Sequence, residues 1–150
     1  MAQSLANILI HLVFSTKQRE PMLHHLPPES LHAYLGGILS ELTCTPLAIN
    51  SVADHVHLLF RLGKTQAPSL VIERVKSGSS AWLKRQADAL DSFAWQRGYG
   101  AFGISQSHSD AVITYIRNQQ EHHRTENFQD EFRRLCRKND APLDERYAWD

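Results

Sequence analysis

Four side chains in this sequence combine types and spacings that suggest chemistry: His55, His57, Tyr115 and Gln119. The histidines flank Val56 in the run His55-Val56-His57-Leu58-Leu59-Phe60. Side chains alternate across a β-strand, so both imidazoles stand on one face while Val56, Leu58 and Phe60 point to the other. Two neutral imidazoles one pleat apart can grip one divalent ion. Ordinary strand histidines making hydrogen bonds fit the same pattern, and a metal site needs a third ligand. Asp54, just before the pair, suits either a carboxylate that orients an imidazole or a hairpin-turn residue.

Val112, Tyr115, Ile116 and Gln119 follow i, i+3, i+4, i+7 spacing, which puts them on one helical face. One reading is a core stripe with Tyr115 as a buried aromatic. The stripe turns polar after Ile116, however, with Gln119, Gln120, His122 and His123. Four residues apart, Tyr115 and Gln119 sit one above the other. Gln119 then offers an oxygen to a metal, and Tyr115 aims its phenol at the same ion's substrate. A phenol of pKa about 10 is a weak nucleophile at neutral pH; a metal that polarises a phosphate makes its attack feasible. His122 and His123 are read as surface residues, with one of them an alternative ligand.

These residues need a scaffold, and the patterning supplies one. Leu5 to Ser15 reads as a buried strand, Thr16 to Pro28 as a loop and Glu29 to Cys44 as a helix. Pro46 to Val52 and His55 to Leu62 read as a tight antiparallel hairpin across Ala53 and Asp54. Pro68 to Ala87 is helical, with Pro68 near its start. Phe93 to Ser105 suggests an irregular turn and a further strand. A helix begins near Ser107 and runs to about His123, and an amphipathic helix spans Glu126 to Lys138 before a tail. The order is the ferredoxin-like β-α-β-β-α-β pattern with additional C-terminal helices, an α+β fold. The first and third strands are expected at the centre, one sheet face under the two helices and the other open for function. The chain of 150 residues is read as a single domain, with a core of about 5–123 and a C-terminal helix and tail of about 124–150.

Taken together, the motifs resemble those of the single-tyrosine HUH transposases carried by small bacterial insertion sequences and of their REP-associated tyrosine transposase relatives. His55-Val56-His57 matches the His-hydrophobe-His element, and Tyr115-Ile116-Arg117-Asn118-Gln119 matches the helical tyrosine with a polar ligand four residues on. His11-Leu12-Val13-Phe14-Ser15-Thr16-Lys17 and Trp95-Gln96-Arg97-Gly98-Tyr99 are similar to the family's first-strand and pre-helix segments. The likeness runs from about Leu5 to His123. It implies a homodimer, often with the tyrosine helix completing the partner's site. It also implies a divalent ion, Mg2+ or Mn2+, held by His55, His57 and Gln119, and Tyr115 as the catalytic nucleophile. The implied reaction is cleavage and rejoining of hairpin-bearing single-stranded DNA through a 5′-phosphotyrosine. The alternatives are a host-adopted module that binds nucleic-acid hairpins without cutting, and an unrelated metal hydrolase that activates water. The resemblance gives no role to Glu126 to Asp150, which could cover an edge, extend the dimer or gate DNA.

Composition sets the remaining bounds. The formal net charge is zero, whereas proteins that hold phosphate backbones usually carry excess Lys and Arg. Basic residues do gather between Arg61 and Arg97. Lys17, Arg19, Arg61, Lys64, Arg74 and Lys76 are the candidate DNA contacts, against the alternative of a solvated face. Trp95, Tyr99 and Phe102 could stack on bases, although core packing is expected of at least two. Two cysteines, Cys44 and Cys136, argue against a disulfide scaffold and for a reducing cytoplasm. No segment has the run of roughly 18–20 apolar residues a membrane helix needs, so a soluble protein with no membrane partner is expected.

Overall fold

The computed structural model describes residues 2–150. Four strands, β1 (Leu9–Ser15), β2 (Thr45–Ser51), β3 (His55–Arg61) and β4 (Gly100–Ile104), form one antiparallel sheet in the order β2-β3-β1-β4. Helices α1 (Pro28–Glu41) and α2 (Pro68–Leu83) connect them in the β-α-β-β-α-β sequence, with β1 and β3 central as expected. Three further helices follow: α3 (Ser109–Arg117), α4 (Gln119–His122) and α5 (Phe128–Lys138). Among the described residues, no helix is long and apolar enough to cross a membrane.

Alternation along the central strands sorts their side chains cleanly. Ile10, Leu12 and Phe14 of β1 and Val56, Leu58 and Phe60 of β3 are buried with Leu31, Leu35 and Leu39 of α1 and Val71, Ile72 and Val75 of α2. This is the main core. Proline starts both helices, where its missing N–H would have had no intrahelical partner anyway. Trp95 closes the core at the β1 end, edge-on to Phe14, with its indole N–H donating to Ser79 Oγ at 2.9 Å.

The opposite sheet face is covered, which corrects the expectation that it stays open. Val13 and Phe102 pack under Phe128, Phe132 and Leu135 of α5. Leu9, Ala48 and Leu59 pack under Ile116, with Val112 and Ile113 of α3 alongside. The C-terminal segment is therefore a second layer. Of the three aromatics weighed for base stacking, Trp95 and Phe102 are buried and Tyr99 is exposed.

The helix expected to run unbroken from Ser107 to about His123 is divided at Asn118, whose φ of −98° and ψ of 21° leave the helical range. The cause lies on β2. Asn50 Nδ2 donates to the carbonyls of Ile116 at 2.8 Å and Arg117 at 3.3 Å, satisfying groups left open where a helix ends.

Candidate metal and tyrosine site

β3 delivers His55 and His57 to the second face, where both are completely buried. Each ring is held from behind. Asp54 Oδ1 lies 2.7 Å from His55 Nδ1, so this carboxylate orients an imidazole whose Nε2 points inward. His57 Nδ1 is 2.9 Å from His11 Nε2 on the neighbouring strand. Of the two roles open to Asp54, the structure gives it the histidine partner.

The inward nitrogens converge on an acid from the last helix. Glu131 Oε1 lies 3.3 Å from His55 Nε2, 3.0 Å from His57 Nε2 and 3.1 Å from His123 Nε2. Its other oxygen, Oε2, accepts a hydrogen bond from the Tyr115 hydroxyl. Arg134, one turn further along α5, donates to that hydroxyl from Nη2 at 2.8 Å and pairs with Glu126 at 2.8 Å. The Tyr115 ring stands 5.9 Å from that of His57 and stacks on His122 at 4.5 Å. Tyr115 is thus half-buried with a fully engaged phenol rather than enclosed in apolar packing.

Electrostatics follow from this crowding. Burial and the neighbouring rings push His57 down to about 4 and His11 down to about 3, so both stay neutral at physiological pH. Burial also acts against His55, but the neighbouring carboxylates of Asp54 and Glu131 outweigh it and raise that ring. Burial would raise Glu131 too; the contacts from His123, His55 and His57 reverse this and hold it well below the usual carboxylate range. Burial, reinforced by Glu131, raises the Tyr115 phenol, with Arg134 opposing.

The donor set fits a cation. His55, His57, His123 and Glu131 each offer an atom, and these all lie within 4.8 Å of one another. Two donors on one tetrahedral ion at ~2.0–2.1 Å stand roughly 3.3 Å apart, close to the separations around Glu131 Oε1. Among the described residues His55 Nε2 has no hydrogen-bond partner, because its approach to Glu131 is poorly aligned. A buried ring nitrogen that faces a carboxylate without a hydrogen bond is an arrangement a cation relieves.

The residues singled out in the sequence are distributed as follows. His55, His57 and Tyr115 come together. Gln119 is fully buried but stands one place back: its Oε1 is 3.1 Å from His123 Nε2, and its Nε2 donates to the Tyr115 carbonyl at 3.4 Å. His123, read chiefly as a surface residue, is a member of the cluster. Glu131 and Arg134 were missed. The signal for Glu131 was its place on the stripe of Phe128, Phe132 and Leu135, where a carboxylate has no business unless something pairs with it.

The candidate DNA contacts are scattered. Lys17 and Arg19 follow β1 near the histidine end of the sheet, and Arg19 also donates to the Trp149 carbonyl at 3.2 Å. Arg61 and Lys64 lie at the opposite end, where they hold Asn7 and the Ser4 carbonyl. Arg74 is exposed on α2. Lys76 donates to the carbonyls of Gln96, Arg97 and Gly98 at 2.7, 3.0 and 2.8 Å. Its ammonium is committed to the chain.

With this fold and site in view, comparison with known proteins is decisive at the family level. Residues 4–119 match the family described as "Transposase IS200 like". The chain belongs to that transposase family. Its fold is similar to the crystal structure of a transposase candidate from Deinococcus radiodurans R1, at 21% identity and a TM-score of 0.57, covering 79% of this chain and 98% of the other. It is also similar to a REP-associated tyrosine transposase bound to a REP hairpin, at 12% identity and a TM-score of 0.59, covering 82% and 74%. Comparison with curated proteins gives no match.

Proposed function

We propose that this transposase cuts and rejoins single-stranded DNA with Tyr115 as nucleophile, beside a divalent ion held by His55, His57, His123 and Glu131. One observation carries the reading. A single carboxylate, Glu131, faces three imidazoles with Oε1 and the Tyr115 hydroxyl with Oε2. Nucleophile and cation site are therefore adjacent within one chain, so Tyr115 serves its own cluster. Gln119 supports His123 from behind.

In the forward step the Tyr115 oxygen bonds to the phosphorus of a phosphodiester and the bond to the 3′-oxygen breaks. The phosphate stays on the tyrosine as a 5′-phosphotyrosine, and the 3′-oxygen leaves as a hydroxyl. That hydroxyl, or one from another strand, reverses the reaction, so strands are exchanged with no net hydrolysis. Glu131 Oε2 lies where it can accept the phenol proton and pass it to the departing 3′-oxygen, and Arg134 Nη2 where it can steady the phenolate oxygen. A divalent ion here would draw charge from the phosphate and offset the negative field that keeps the phenol protonated. Of Mg2+ and Mn2+, a donor set of three imidazoles and one carboxylate favours Mn2+, because Mg2+ prefers oxygen ligands and water.

A hairpin substrate is proposed because the similar REP-associated transposase was captured on one. A homodimer is proposed for joining two ends, since each chain holds one such tyrosine. The test is incubation with labelled, hairpin-bearing single-stranded DNA and Mn2+. The expected result is an SDS-resistant protein–DNA adduct that vanishes in Tyr115→Phe. Cleavage without adduct that survives this change would make the protein a hydrolase. A gel shift with no product would make it a binding module.

A further inference from the structure

Two recesses meet at Tyr115, and their charges are opposite. One, of about 480 Å³, lies between α3 and α5 over the edge strand β4; Tyr115, Arg134 and Lys138 line it together with Ile104, Val112 and Leu135. Among the described residues, no carboxylate lines it. The other, on the far side of the phenol, is lined by Tyr115 and Arg134 but also by Glu126 and Asp130. A phosphodiester anion is attracted to the first and repelled by the second.

The first recess also has the right chemistry for a whole nucleotide. Its volume falls within the ~300–1,000 Å³ of small-molecule sites, and its walls combine apolar side chains with a few polar groups. Arg134 uses Nε and Nη2 on Glu126 and Tyr115; among the described residues Nη1 has no partner. Lys138 is exposed and makes no ion pair among the described residues. Both cations lie on α5, beyond Gln119, where the match to the transposase family ends.

We propose that this recess seats the nucleotide whose phosphate Tyr115 attacks, with Arg134 Nη1 and Lys138 Nζ as its phosphate-binding groups. The single strand then enters along the α3–α5 groove and not across α4. The proposal rests on the nuclease reading above, yet it concerns binding and can fail separately. It gives the C-terminal helix a substrate-binding task that the family match does not contain. It also accounts for how a chain of zero net charge holds DNA: two cations are concentrated where one phosphate must lie.

The test uses full-length Tyr115→Phe protein, which stops at the binding stage, with a fluorescent hairpin-bearing single-stranded oligonucleotide and Mn2+. Anisotropy is measured across a salt series. Lys138→Ala should weaken binding about fivefold to tenfold and lower the salt slope by ~0.7 for the one lost phosphate contact. Lys138→Glu should weaken it further, while Arg85→Ala, on an exposed residue just past α2, should change nothing. Arg134→Lys, which keeps the charge, should bind more tightly than Arg134→Met. Unchanged affinity and slope in both Lys138 variants would overturn the subsite. If the protein with Tyr115 intact forms an adduct while these variants bind normally, only the subsite is wrong. If they bind poorly while the protein with Tyr115 intact never forms an adduct, the recess stands as a nucleotide-binding site and the nuclease reading falls.

Discussion

Glu131 and His57 are separated by 74 positions in the chain, and their side chains meet at 3.0 Å with no exposure to solvent. A carboxylate buried this deeply is stable only among partners, and Glu131 has four: three imidazoles and the Tyr115 phenol. The last helix is thereby tied to the strand that carries His55 and His57.

Replacing Glu131 with Gln keeps the shape and removes the charge. Affinity for Mn2+ should fall by at least about tenfold, measured by calorimetric titration of protein stripped of metal. Unaltered affinity would mean that the three histidines bind without it.

Asp54 acts through His55. Its carboxylate holds the ring by Nδ1 at 2.7 Å, which fixes the direction of Nε2. Asp54→Asn should lower metal affinity by about 10–100-fold, with thermal stability in EDTA nearly unchanged because the side chain is partly exposed. Equal losses in stability and affinity would instead indicate that the residue matters for the turn.

Acid should destabilise the metal-free fold before it protonates ordinary carboxylates. His57 and His11 are lowered from 6.5 to about 4 and about 3, so the unfolded chain binds their protons more readily. Their contribution is fully present above about pH 6.5 and is lost as pH falls toward 4. Glu131, held below its ordinary value, adds a loss on the same side. His55 is raised and acts oppositely, its contribution fading as pH rises through its folded value. Urea unfolding in EDTA should show the midpoint dropping between pH 6.5 and 4, and a smaller drop in His11→Gln. A flat profile would contradict the burial of neutral rings.

Lys76 should prove structural. Its three bonds to the carbonyls of residues 96–98 fix the segment that precedes β4. Lys76→Met should cost about 1.5–3 kcal/mol, the range of hydrogen bonds to a charged group, and leave DNA affinity within about twofold. A large affinity loss without destabilisation would return it to the DNA-binding set.

Much of this architecture was legible because it depends on local periodicity. Alternation in His55–Phe60 placed two imidazoles on one face and three apolar residues on the other, and burial under α1 and α2 followed that division. Tyr115 was recognisable from its helical stripe and its match to a family pattern. Boundaries were less accessible: the break at Asn118 depends on Asn50, a side chain 68 positions earlier on another strand. Helical spacing and the family pattern both point to Gln119 ahead of His123. The broken helix then turned the histidine into the cluster and left the glutamine behind it.

By itself the sequence determined the order of the strands and of the first two helices and which residues share a face, since these follow from side-chain spacing along a strand or helix. Only the tertiary structure decided that the second sheet face is covered, that α5 brings Glu131 to the histidines, and that Tyr115 lies between Glu131 and Arg134. The physical reason is that burying Phe128 and Phe132 on the sheet is a long-range packing event. A carboxylate carried on that apolar face acquires its partners only once the helix has docked.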